Sequence, residues 1–455
     1  MSKKSTMMTE GAIWKEILFF SIPLILGNLF QQLYNTADSL IVGNYLGSSA
    51  LAAVSSSGNL IFLLVGFFNG IAVGAGVVIA RYFGAKDYKR VHLAIHTTVA
   101  LGIVSGIFLT LCGVILAPKI LELMATPKEV LPNSIIYFRV YFMGSIAFVL
   151  YNFLTGILQA VGDSKHPLYY LIISSIINVV LDLVFISGFN MGVGSAALAT
   201  IIGQIISAII VIRYLLHFKT VSLTKEHFRP QIEYISKTAQ IGMASFFNQV
   251  AMMVVQIIMN NSLTHYGAAS VYGEAIPLAC AGIVIKVNQI FFSIVIGLSQ
   301  GSQPVESFNY GAKNYDRVRK AFGLAATSGV IISIVSFVLF QIFPRQILGL
   351  FGTGEPEYFE FGVRFFRIFL FFIWLDALQP ITSTFFTSIG KPAKGIFLSL
   401  TRQIIFFIPL LLILPHFMGI EGCIYCGPIA DFLAAVVTII MAFLEFKNMP
   451  KTNGE

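Results

Sequence analysis

The chain has 455 residues, of which 56 % are hydrophobic and only 11 % charged, with a formal net charge of +8. A soluble globular chain carries about a quarter charged residues, so this composition excludes a soluble globular domain and indicates a polytopic membrane protein. The basic excess lies in short loops, as membrane topology demands, and is not a nucleic-acid footprint.

Apolar runs long enough to cross a bilayer as helices recur at about 17–41, 51–79, 92–117, 134–157, 168–188 and 192–216, and again at 239–263, 271–303, 319–343, 362–387, 396–415 and 421–445. The expected fold is therefore all-α: twelve transmembrane helices in two six-helix lobes around a central cavity. The N-terminal lobe is expected over 1–217 and the C-terminal lobe over 239–455, joined by a polar, basic linker at 218–238. The first run contains Asn35, Asp38 and two Gln and lacks a small-residue cleavage site, so it reads as a retained helix rather than a signal peptide.

The loops divide by charge. One side holds Lys3, Lys4 and Lys15, then Arg81, Lys86, Lys89 and Arg90, then Lys219, Lys225, Arg229 and Lys237, then Lys313, Arg317, Arg319 and Lys320, and Lys447 and Lys451 near the end. The opposite side has few cations. The positive-inside rule then predicts cytoplasmic termini in a cell-membrane protein, as an even helix count also requires.

An internal repeat is legible. Gly84-Ala85-Lys86-Asp87-Tyr88-Lys89-Arg90-Val91 matches Gly311-Ala312-Lys313-Asn314-Tyr315-Asp316-Arg317-Val318 at six of eight positions. Asn28 pairs with Asn248, Gly47 with Gly267, Gly162 with Gly390, Pro167 with Pro392, and Met191-Gly192 with Met418-Gly419. Hydrophobicity does not force Lys, Tyr and Arg into register, so the lobes read as a duplication related by an axis along the membrane normal, which suits alternating access.

Buried polar groups mark the candidate site. Asn178 and Asp182 are four residues apart on one face of the fifth helix. Charged groups inside a membrane are costly and by default mark an ion or substrate path. Asp38 and Asp182 fall at similar depth, and Thr200 matches Asn178. Asp38, Asn178, Asp182 and Thr200 could form an oxygen-rich site for a proton or sodium, although Thr200 is equally readable as a packing hydroxyl. Pro23 can bend the first helix. Gln31 and Asn35, with Glu274 and Asp376 of the second lobe, are candidates for the substrate cavity, where acids would attract small organic cations. Lys286, Arg402 and Asp431 are further deep charges, some of which should neutralise one another. Cys112 and Cys280 look like packing residues, and Cys423-x-x-Cys426 lacks partners for a redox or metal role.

These residues resemble the multidrug and toxic compound extrusion (MATE) transporters over nearly the whole chain. Pro23, Gln31 and Asp38 look like the family's polar first helix, Asn178-x-x-x-Asp182 and Thr200 like its N-lobe cation site, and Gln159-Ala-Val-Gly162-Asp163 like its signature after helix four. Asp376-Ala-Leu-Gln379, Arg402-Gln403 before Pro409, and Pro428-Ile-Ala-Asp431 resemble motifs of helices ten, eleven and twelve. The sodium-dependent branch carries acids in helix seven, where this chain has none; Glu274 looks closer to the bacterial drug-exporting branch. The resemblance implies cation-coupled export of amphipathic organic cations by alternating access, without a cofactor, by a chain expected to act as a monomer among membrane lipids. An alternative is a lipid-linked oligosaccharide flippase of the same superfamily, whose cavity should carry more Arg and Lys. An intramembrane aspartyl protease is disfavoured because its Gly-x-Gly-Asp motif is absent; the chain is not expected to be an enzyme.

Overall fold

A computed structural model describes residues 11–46, 48–123, 128, 131–216, 231–351 and 356–450. Linker positions 218–230, Lys3, Lys4, Gly47 and Lys451 lie outside them. The described residues form seventeen α-helices and two π-helical stretches joined by turns, with no strand among them. Ten helices are each long and apolar enough to cross a membrane: α1 (Ile13–Leu46), α2 (Ser48–Gly84), α3 (Tyr88–Leu123), α6 (Lys165–Asp182) with its π turn, α7 (Gly194–Leu216), α8 (Ile232–Ala268), α9 (Ala275–Gly311), α10 (Tyr315–Ile342), α15 (Pro392–Leu400) running through α16 (Ile408–Met418), and α17 (Ile420–Asn448).

The other two expected passages are broken. The first is α4 (Leu131–Met143) and α5 (Ser145–Ala160), which meet at 48°. Gly144 sits at their junction because Ile201 of α7 approaches so closely that a Cβ there would lie 2.3 Å from it. The second is α12 (Pro356–Phe369), α13 (Ile373–Asp376) and α14 (Leu378–Ser388), preceded by the short α11 (Pro344–Phe351). Pro380 has no N–H to offer the carbonyl four residues back, so the helix breaks at Asp376 and Ala377.

The chain packs as two compact units. Leu26–Phe246 belong to unit 1, and Gly11–Ile25 together with Phe247 onward to unit 2. Each unit thus holds the first part of the other half's opening helix. In unit 2, Gly297 and Gly301 of α9 form a notch for α1: Cβ atoms there would fall 2.7 Å from the Ile25 Cα and 2.6 Å from the Ser21 Cα. Arg317 locks the same segment, bonding the Gly11 carbonyl at 2.8 Å and Glu16 at 3.2 Å. Unit 1 repeats the device. A Cβ on Gly74 of α2 would lie 2.4 Å from the Thr238 carbonyl of α8, and one on Gly242 would lie 2.7 Å from the Ile71 Cα. Small residues that let backbones touch are the usual glue between membrane helices, where lipid removes the hydrophobic drive for association.

The repeat is visible in the turns. Lys86 and Lys313 both take positive φ, 57° and 58°. In each turn three successive amides bond back to the helix, ending with Asp87 N to Tyr82 O and Asn314 N to Asn309 O at 3.0 and 2.8 Å. Phe83–Tyr88 and Tyr310–Tyr315 make the same edge-on ring contact, at 5.7–5.8 Å between centroids. Gly162 and Gly390 turn with positive φ, 102° and 76°, and a matching set of back-bonds. Asp163, in the signature after α5, accepts from the Tyr214 hydroxyl at 2.8 Å and the His166 amide at 3.2 Å, tying that turn to the end of α7.

Candidate functional site

In unit 1, α1, α6 and α7 bring Asp38, Asn178, Asp182 and Thr200 together. Asn178 Nδ2 donates to Thr200 Oγ1 at 3.0 Å, and Thr200 Oγ1 donates to the Ala196 carbonyl at 3.1 Å. This chain of donors turns the Asn178 Oδ1 away, and it has no partner. Asp182 is 0 % exposed, and neither carboxyl oxygen has a donor; Asp38 Oδ1 has none either. The Asp38 carboxyl is the ionisable neighbour of Asp182, with Tyr34 and Tyr137 close to both.

A cavity of about 10 Å³ is lined by Tyr34, Ser174, Ser175, Asn178, Thr200 and Gln204 among others. That is the space of one water-sized group. Gln204 Oε1, on its wall, also lacks a donor. Five buried oxygens without donors therefore lie on three neighbouring helices. Such a set suits a proton or a hard monovalent cation.

Asp182 ends α6 and immediately precedes a π-helical turn, Leu183–Gly188. Such bulges occur often at functional sites. Arg402 lies in the other π stretch, Thr401–Phe407, just before Pro409, and Asp376 at the α13–α14 break. Three deep charged residues thus sit where the regular helical ladder is interrupted.

Sequence reasoning missed Tyr34, Tyr137 and Gln204. Two of them were accessible by spacing: Tyr34 is four residues before Asp38 and Gln204 four after Thr200, each on the same helical face. Tyr137 comes from α4, and nothing in sequence links it to α1.

Unit 2 arranges its charges differently. Arg402 Nε bonds Asp431 Oδ1 at 2.5 Å, with the two side chains 14 % and 2 % exposed, and Asp376 is an ionisable neighbour of both. Asp376 is itself buried, with Oδ2 unpartnered. Glu274 was expected within a helix; it stands instead exposed at the N-cap of α9, after the turn at Gly273. Lys286 is exposed mid-way along α9. Gln31 and Asn35 lie on α1 within unit 1, Gln31 half-buried and Asn35 exposed. Pro23 is buried inside α1, which runs on unbroken, and the passage of α1 from unit 2 to unit 1 falls just beyond it, between Ile25 and Leu26. Cys426 Sγ contacts the Cys423 carbonyl at 3.1 Å, and both are buried free thiols packed in α17.

An all-α membrane chain built twice over, with a buried oxygen site beside an interrupted helix, has the architecture of a membrane transporter. The chain belongs to the MatE family, whose model matches residues 23–184 and 244–413. It is a MATE transporter, not an enzyme. It is 28 % identical over 450 residues to the probable multidrug resistance protein YoeA of Bacillus subtilis, covering 96 % of this chain and 95 % of that one. It is 24 % identical over 436 residues to the multidrug export protein MepA of Staphylococcus aureus, covering 96 % and 94 %. An outward-facing structure of a MATE transporter of the MOP superfamily superposes with a TM-score of 0.91 at 23 % identity, covering 99 % and 100 % of the two chains.

Proposed function

We propose that this transporter exports amphipathic organic cations across the cell membrane, driven by proton or sodium entry at the Asp38–Asn178–Asp182–Thr200 site, by alternating access. The observation that carries the reading is the set of donor-less oxygens around Asp182, which is fully buried next to Asp38. Two carboxyls desolvated side by side cannot both stay charged cheaply, so the pair takes up a proton or a small cation. Thr200 and Asn178 hold the carbonyl-type oxygen in place for it. Differential binding of a few kcal/mol between two states of α1 is enough to shift its equilibrium. Pro23, one turn from the point where α1 changes unit, is the natural bend.

The substrate class follows from the resemblance to multidrug exporters and from the deep acid Asp376. Arg402 is already neutralised by Asp431, which leaves few deep cations for a pyrophosphate and disfavours a flippase. Cytoplasmic termini and action as a monomer complete the reading. Cells expressing the chain should resist monovalent organic cations several-fold more than anionic drugs of similar size. Equal protection against both would remove the charge argument.

A further inference from the structure

Glu306 of α9 has no part in this scheme. It is 0 % exposed, and neither of its carboxyl oxygens has a donor among the described residues. Ser302 and Ser388 lie within hydrogen-bond reach of it. Both commit their single hydroxyl hydrogen elsewhere: Ser302 Oγ donates to the Ser299 carbonyl at 2.9 Å, and Ser388 Oγ to the Thr384 carbonyl at 2.8 Å. Ser307 donates to the Ser388 carbonyl at 3.2 Å. A hydroxyl has one hydrogen and two lone pairs, so with those hydrogens directed at backbone carbonyls the Ser302 and Ser388 oxygens offer Glu306 lone pairs.

Among the described residues no cation pairs with it either. The adjoining α14 carries no charged residue. On α10, Arg317 is held by Glu16 and Asn309, and Arg319 by Asp316 and the Met449 and Pro450 carbonyls. The charged residues of α12, among them Glu360, Arg364 and Arg367, lie toward the other end of α9, where Tyr272 meets Glu360. Lys391 and Lys394 pair with Glu445. An ionised Glu306 would be a buried, unpaired charge, whereas its neutral acid has an O–H that suits the acceptors around it.

The internal repeat supplies a control. Glu306, Ser302 and Ser307 correspond to Ile79, Ala75 and Ala80, and Ser388 to Ala160. Those four are apolar and at most 2 % exposed. The fold therefore builds this junction without polar groups, and their presence in unit 2 needs another reason. We propose that Glu306, Ser302 and Ser388 form a second proton-binding site, inside unit 2 and separate from the Asp38–Asp182 site, in which Glu306 carries the proton at neutral pH and the serine oxygens accept its hydrogen bond. Glu306 is five residues from the turn that begins at Gly311, about 7.5 Å along the helix, so exchange runs to that end.

Infrared spectroscopy of the full-length protein in lipid vesicles, with and without carboxyl-¹³C glutamate, tests this. At neutral pH the wild type should show a protonated-carboxyl C=O band that moves with the label. Glu306→Gln should lose it; Asp182→Asn should keep it, which separates this site from the coupling reading. Ser302→Ala and Ser388→Ala restore the alanines of the twin junction and so should fold. Each should shift the band to higher frequency by removing an acceptor. A glutamate that is ionised at neutral pH, a band that survives Glu306→Gln, or one unmoved by both serine variants overturns the proposal. Loss of the band on adding sodium at constant pH overturns it in favour of a sodium site.

Discussion

Asp182→Asn is predicted to make the protein more stable while abolishing its coupled transport. The wild-type pair places two carboxyls together with Asp182 fully buried and without donors. Two unit charges about 4 Å apart at an effective dielectric of about 20 repel by roughly 4 kcal/mol. A shared proton at neutral pH relieves part of that, so removing one charge should return about 2 kcal/mol. Asparagine also brings two N–H donors to a site where the Asp38 and Asn178 oxygens have none. For a unit of about this size, roughly 2–4 °C accompany each kcal/mol, so the apparent Tm in detergent should rise by about 4–8 °C. On the proposed reading, the folded pair holds a proton that the unfolded chain releases near neutrality. Wild-type stability therefore falls as pH rises, and the gap to the variant should widen in alkali and close in acid. A variant that melts lower than wild type at alkaline pH would refute the reasoning, because it would mean that Asp182 is held by partners the site does not show.

Other predictions follow from the same packing. Asp38→Asn should weaken gradient-driven export similarly, and the double variant should be little worse than the worse single one, since the two act as one site; efflux assays on all three would show additivity if they do not. Gly301→Ala should lower the apparent Tm by the equivalent of about 1–3 kcal/mol, because its Cβ would fall 2.6 Å from the Ser21 Cα, whereas Gly282→Ala on the same helix meets nothing within 4 Å and should be neutral or stabilising. Arg402→Met should cost about 3–5 kcal/mol by stranding Asp431 and Asp376, and Asp431→Asn in that background should restore part of it, as melting curves would reveal. Single cysteines introduced at 84–91 and 311–320 should escape an impermeant label applied to intact cells; labelling of both would reverse the topology.

Much of this was legible in the sequence, and the reasons differ by feature. The helix count came from apolar run length, and the duplication from loop residues that lipid does not dictate. The Asp38, Asn178, Asp182 and Thr200 set was readable because carboxylates in apolar runs are conspicuous and helical depth is arithmetic. The broken passages were not, because Gly144 and Pro380 break their helices through a neighbour's approach and a missing donor that run length does not register. The exchange of α1 and α8 segments between units was hidden for a related reason: glycine notches on α2 and α9 name no partner until the fold supplies one. Glu274 falls inside an apolar window, and only the turn at Gly273 places it at a helix end. Glu306 shows a different case: it lies three residues past the apolar run 271–303, so run length gave no reason to single it out.

The central claim is that ion binding at Asp182 drives export. Purified wild type and Asp182→Asn should be reconstituted into vesicles holding a fluorescent organic cation, with a proton gradient or a sodium gradient imposed alone. The wild type should move the cation against its gradient under at least one of the two, and Asp182→Asn under neither. Transport by Asp182→Asn at the wild-type rate under the effective gradient would contradict the account and move the coupling site to unit 2.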